Sequence, residues 1–279
     1  MPASQTLDVP HARLAYRSTG TGPLAVYAHG ALSSRDHERR SGFLDWSPIA
    51  AAGLRLVEYD ARGHGESTGR AVEADYAYPA LADDFRALCD HLAPGERVHA
   101  VGSSMGAATV LHAALAEPER FDRLVLAMPG VAWQARESRR EGLRAAARTV
   151  EQQGKASLVT AMRLGRPPIL ADTDFPPVFD VPDSLMPTVL RAAAADDLPD
   201  PEALRQLPHP TLVLAWDTDP SHPVATAEAL AELLPDARVH VSRDLADIRT
   251  WGARAAEHLA GQGRAGAPAA ATAPGRHLR

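Results

Sequence analysis

Short apolar runs recur through the first half of the chain, each followed by a turn signal. Residues 24–28 (LAVYA), 54–59 (LRLVEY), 98–101 (VHAV) and 124–127 (LVLA) read as strands, and most lead into Gly, Asp or Pro within a residue or two. Near-continuous apolar strands suit a parallel sheet covered on both faces. Helical spacing separates them. Leu81, Phe85, Leu88, Cys89 and Leu92 form one stripe, ended by Ala93-Pro94-Gly95. Residues 107–115 carry Val110, Leu111, Ala114 and Leu115 on one face. Strand–helix alternation with right-handed crossovers predicts an α/β fold built on a doubly wound, mostly parallel sheet.

The pattern changes after Pro129. Residues 131–206 are rich in Arg, Ala and Glu, with helical stretches, a Pro-rich interruption and no clear strand. They predict a helical cap inserted over the sheet. Alternation then resumes: 211–215 (TLVLA) as a strand, 224–234 as a helix, 238–241 as a strand. A final helix is expected over about 247–259, with Ile248, Trp251, Ala255 and Leu259 on one face. From Gly261 onward Gly, Ala and Pro dominate, which predicts a disordered tail. The expected division is a core of 1–130 and 207–260, a cap of 131–206 and a tail of 261–279.

Composition narrows the partners. The 279 residues are 45% hydrophobic and 23% charged, as in a globular protein with a sizeable core. A net charge of −6 favours neither nucleic acid nor an anionic membrane. Cys89 is the single cysteine, so no internal disulfide can form, and no Cys/His cluster predicts a metal. There is no phosphate-binding loop, so no cofactor is expected. No apolar run is long enough to span a bilayer, and the first residues do not read as a secretory signal. The expected setting is cytoplasmic, and the expected partner is a small-molecule substrate.

The chemistry concentrates at VHAVGSSMG, residues 98–106. A strand runs into Gly102-Ser103-Ser104-Met105-Gly106 and a helix follows at once. G-x-S-x-G in that setting is a nucleophile elbow. A tight strand-to-helix turn strains the central residue and demands small neighbours two positions either side. Ser104 Oγ would then project at the C-terminal edge of the sheet, beside the free N–H groups of a helix N-terminus.

With these motifs the chain resembles the α/β-hydrolase-fold superfamily over about residues 10–260. His29-Gly30-Ala31 follows the first apolar strand, where the family has an H-G-x turn. The resemblance implies an oxyanion hole made by the N–H groups of Ala31 and Met105. YDARGHGES, residues 59–67, matches the family's D-x-R-G-x-G-x-S loop, with Asp60 and His64 read as structural. WDTDPSHP, residues 216–223, sits where the family often has G-x-x-D-x-x-x-P. Asp219 and Pro223 fit that spacing although Trp216 replaces the glycine. Asp219 is thus the candidate acid, with Asp217 as the alternative.

One element departs from the family. A serine hydroxyl needs a base within hydrogen-bond reach. The family places a histidine in the loop after the last strand, but SRDLADIRTW, residues 242–251, has none, and the usual position falls near Asp247. His222, on the same loop as Asp219, is the best single replacement, while His64 and His37 could also line a pocket. Ser103 and Ala107 are smaller departures beside the nucleophile. The leading expectation is a serine hydrolase acting on an ester, lactone, thioester or amide of a small apolar molecule. The alternatives are a non-hydrolytic enzyme on the same scaffold (an epimerase, lyase or cyclase) and a binding protein with impaired catalysis. Cap residues, among them Trp133, Met162, Leu164, Leu170, Phe175 and Phe179, are expected to furnish apolar core or wall.

Overall fold

The computed structural model describes residues 3–164, 167–170, 179–219 and 221–261. Among these, eight strands form one sheet: β1 (Gln5–Val9), β2 (Ala12–Thr19), β3 (Leu24–Ala28), β4 (Arg55–Tyr59), β5 (Val98–Ser103), β6 (Phe121–Ala127), β7 (Thr211–Trp216) and β8 (Ala237–Ser242). Their order is β1-β2-β4-β3-β5-β6-β7-β8. β1 and β2 pair antiparallel with each other, and β2 pairs antiparallel with β4; from β4 to β8 every pairing is parallel. The chain leaves β3 for β4 on one side and then crosses to β5 on the other. The carboxyl ends of β3 and β5 therefore flank the point where the winding reverses, which is where open α/β sheets place ligands.

The helices bury both faces. α3 (Tyr78–Leu92), α4 (Met105–Ala116) and α9 (Val224–Leu233) close one side over Phe85, Leu111 and Leu230. α2 (Ser47–Ala51) and α11 (Trp251–Leu259) close the other over Ile49 and Trp251. Pro48 and Pro79 stand in the first turns of α2 and α3, where a missing N–H leaves no bond unmade. α1 (Arg35–Ser41) follows β3, capped by Ser34, whose hydroxyl accepts from the His37 amide at 3.0 Å.

Between β6 and β7 the described chain is helical, with α5 (Arg136–Gln153), α6 (Lys155–Leu164), α7 (Met186–Ala195) and α8 (Pro201–Leu204). Ala147 and Val150 of α5 pack on Met186, Val189 and Leu190 of α7, with Tyr76 from the core beneath them. This cluster is separate from the two on the sheet.

Three features depart from the sequence expectation. The antiparallel hairpin of β1 and β2 widens the sheet at one edge. The single terminal helix is two: α10 (Leu245–Ile248), capped by the Asp244 carboxylate on the Asp247 amide at 2.8 Å, and α11, with the break at Arg249 and Thr250. α1 was not anticipated, because RDHERRS carries no apolar stripe. The proposed tail beyond Gly261, and Phe175, lie outside the described residues.

Candidate active site

The turn after β5 is built by what its glycines exclude. A Cβ on Gly102 would overlap the Gly106 carbonyl, and a Cβ on Gly106 would overlap the Ala28 carbonyl of β3. With both absent, the chain turns sharply from β5 into α4. Ser104 carries the strain, at φ 53° and ψ −111°, a conformation L-residues rarely adopt. Its carbonyl accepts from the Ala107 amide at 3.0 Å, so the helix starts directly behind it. Met105 is the first residue of α4, and its N–H is one of the donors a helix leaves unmet.

Two buried imidazoles shape the turn after β3. His29 Nδ1 donates to the Gly30 carbonyl at 2.7 Å and its Nε2 accepts from the Ala61 amide at 2.9 Å. His64 Nδ1 donates to the Arg62 carbonyl at 2.8 Å and its Nε2 accepts from the Leu32 amide at 3.2 Å. Burial holds His29 down to about 4, against the Gly30 bond, and His64 down to about 3 with help from the neighbouring His29 charge. Both are neutral at pH 7, with both nitrogens engaged by backbone. In the same turn the Gly30 amide donates to Glu38 Oε1 at 3.2 Å and the Ser33 amide to the Gly30 carbonyl at 3.3 Å. Among the described residues the Ala31 N–H has no protein acceptor, and Ala31 lines the same recess as Ser104 and Met105.

The loop after β7 carries both the candidate acid, Asp219, and an imidazole. Ser104 Oγ and His222 Nε2 lie 2.9 Å apart. His222 Nδ1 and Asp219 Oδ2 lie 2.8 Å apart. Asp219 Oδ1 accepts from the Ser221 and His222 amides at 2.9 and 3.2 Å, and Oδ2 also accepts from Trp216 Nε1. Burial pushes the Asp219 carboxyl up. The bond and charge of His222, then Trp216 and the Ser221 amide, outweigh burial and hold it at about 2. The carboxylate is thus ionised at pH 7. It fixes the His222 tautomer with the proton on Nδ1, so Nε2 presents a lone pair to the Ser104 hydroxyl.

The remaining candidates are engaged otherwise. Asp217 is exposed, and its carboxylate accepts from its neighbour Thr218 at 2.8 Å. His37 lines the cavity and bonds Ser33 Oγ at 2.9 Å. Asp60 binds the Arg35 and Glu66 amides, both at 3.0 Å, and shapes its own loop. Asp247, near the family's usual histidine position, pairs with His240 at 2.8 Å and Arg254 at 2.9 Å, and neither it nor His240 lines the Ser104 cavity.

A cavity of about 510 Å³ opens above Ser104, with Phe43, Leu143, Leu158 and Leu190 among its walls. A smaller recess of about 50 Å³ adjoins it at Ala31, Ser104, Met105 and His222. Of the cap residues singled out in sequence, Met162, Leu170 and Phe179 line the cavity, while Leu164 is exposed. Three further side chains there carried no sequence signal: Trp216, whose indole N–H reaches Asp219, and Glu38 and Arg139, which face the cavity. Burial raises the Glu38 carboxyl to about 7, against the pull of Tyr27 and the Gly30 amide. Among the described residues no group of three or more His, Cys, Asp or Glu could hold a metal ion. No helix there is long and apolar enough to cross a membrane.

The α/β-hydrolase-fold family model matches residues 26–147. The solved structure of a thermophilic esterase from Thermogutta terrifontis superposes with a TM-score of 0.72 at 22% identity, covering 93% of this chain and 97% of that one. The chain therefore has the α/β-hydrolase fold. It is 28% identical over 198 residues to 3-oxoadipate enol-lactonase 1 of Acinetobacter baylyi, a stretch covering 67% of this chain and 71% of that protein. A probable oxidoreductase, EphD of Mycobacterium tuberculosis, is 35% identical over 117 residues, 39% of this chain but only 19% of EphD.

Proposed function

We propose that this chain is a serine hydrolase that cleaves an ester or lactone, with the base and the acid of its triad on one loop. The observation that carries this reading is the hydrogen bond between Ser104 Oγ and His222 Nε2, at 2.9 Å. His222 takes the hydroxyl proton as Ser104 attacks the carbonyl carbon. Asp219 orients the imidazole and stabilises the imidazolium that forms. The carbonyl oxygen gains negative charge in the recess, where the Ala31 and Met105 N–H groups receive it. His222 then protonates the leaving oxygen, and water, deprotonated by His222, attacks the acyl-enzyme. Thioesters and amides share the first step and are possible substrates in chemistry; the names of the relatives, an esterase and an enol-lactonase, favour the oxygen esters.

The cap helices α5 and α6 form the roof and select the substrate by its apolar body. The experiment is turnover of 4-nitrophenyl butyrate and of γ-lactones by the wild type and Ser104→Ala. The reading expects ester or lactone cleavage that Ser104→Ala abolishes. Cleavage that survives Ser104→Ala, or a wild type inert to the whole panel, overturns it.

A further inference from the structure

Two guanidinium groups border the reacting centre, and no carboxylate among the described residues pairs with either. Arg136 opens α5 and is buried. It donates to the carbonyl oxygens of Asp196, Val131 and Ala193 at 3.0, 2.8 and 2.8 Å, and to Tyr78 Oη at 3.2 Å. These acceptors are neutral. They fix the side chain and leave its charge uncompensated.

Arg139 lies one turn along the same helix and is partly buried. It lines both the large cavity and the small recess beside Ser104. Among the described residues it makes no hydrogen bond and no ion pair. Its neighbour Arg140, by contrast, reaches Asp197 at 3.5 Å. Burial and the Arg136 charge push the Arg139 pKa down, outweighing the weaker opposing pull of Tyr78 and Asp219. The two carboxyl groups near the cavity are engaged elsewhere. Asp219 holds His222, and Glu38, which faces the large cavity but not the recess, binds Tyr27 and the Gly30 amide.

A half-buried cation with no counter-ion is costly. Aimed into a cavity, its planar fork matches a carboxylate. We propose that Arg139 binds an anionic group of the substrate, so that the ester or lactone opened at Ser104 carries a carboxylate close to the scissile carbonyl. The apolar walls then hold the rest of the carbon skeleton. This deepens the hydrolase reading and rests on it for the reaction, though not for the binding.

The test compares the mono-4-nitrophenyl ester of glutaric acid with 4-nitrophenyl butyrate, in wild type, Arg139→Gln and Arg139→Lys. Removing a charge-assisted bond should lower kcat/KM for the acidic ester roughly 10–100-fold. The neutral ester should change by less than about 3-fold, and Arg139→Lys should recover part of the loss. A fall of equal size on both esters would place Arg139 at the oxyanion or in folding and overturn the proposal; so would no fall on either.

Binding supplies an independent arm. Titration calorimetry of monomethyl glutarate with Ser104→Ala should show an affinity that Arg139→Gln, added to Ser104→Ala, weakens by a similar factor. If that binding holds but wild type cleaves no ester, the hydrolase reading fails and this one stands. If neutral esters are cleaved and neither arm depends on Arg139, the hydrolase reading stands and this one fails.

Discussion

Replacing Asp219 by Asn keeps the side chain's shape and removes its charge. Oδ1 accepts from the Ser221 and His222 amides at 2.9 and 3.2 Å, and an Asn oxygen can keep both. Oδ2 accepts from His222 Nδ1 at 2.8 Å and from Trp216 Nε1. An amide nitrogen there would face two N–H donors. The carboxyl titrates at about 2 instead of 3.8. At 1.36 kcal/mol per pH unit, that difference is worth about 2.5 kcal/mol. Because the folded value lies below the unfolded one, the stabilisation is complete well above pH 3.8 and is lost as pH falls through about 2; about half remains near pH 3. Urea unfolding should therefore show Asp219→Asn less stable by about 2.5 kcal/mol at pH 7, with the gap narrowing to about half near pH 3. Activity should fall further than stability. Facing an amide, His222 turns its proton toward Ser104, and kcat should drop about 10³–10⁴-fold, as in other triads with the acid neutralised. A gap that does not change with pH, or an Asn variant with wild-type kcat, would refute the reasoning.

Further predictions concern the scaffold. Gly106→Ala sets a methyl group against the Ala28 carbonyl in a central strand that cannot shift, so calorimetry should show a loss of about 3 kcal/mol or more. Gly142→Ala in α5 meets nothing within 4 Å and should instead gain about 0.5–1 kcal/mol. His29 and His64 titrate at about 4 and about 3 when folded, against 6.5 when unfolded. Their stability is intact above pH 6.5 and declines as pH falls toward 3, because only the unfolded chain takes up the protons. The urea midpoint should therefore slope downward from pH 6.5 to 4, and His64→Gln should flatten that slope while lowering the midpoint at pH 7.

The parallel core was legible because strands such as LAVYA and TLVLA are buried along their whole length, which leaves a continuous apolar run. The β1–β2 hairpin was not. QTLDV at the sheet's edge has no fully buried position, and ARLAYRST mixes buried and exposed ones. The terminal helix breaks at Arg249 and Thr250, where the Thr250 amide and hydroxyl both donate to the Asp247 carbonyl, a local turn that the apolar stripe does not reveal. At the site, spacing pointed to Ser104 and Asp219 because the elbow and the loop after β7 have steric rules. The approach of His222 to Ser104 depends on the path of an irregular loop, which carries no periodicity. Trp216 read only as a missing glycine, since nothing in sequence shows that its indole N–H turns back onto Asp219. Arg139 sits in an Arg-rich helix, where one unpaired guanidinium looks like the rest.

The account depends most on His222 acting as the base for Ser104. The direct measurement is the rate constant for covalent labelling of Ser104 by a fluorophosphonate in wild type, His222→Ala and Asp247→Ala, read by intact-protein mass. A positioned base accounts for about 10²–10⁴-fold, so His222→Ala should label at least about 100-fold more slowly. Asp247→Ala, whose carboxylate pairs with His240 and Arg254, should label at the wild-type rate. Wild-type labelling in His222→Ala, or a collapse in Asp247→Ala alone, would contradict it.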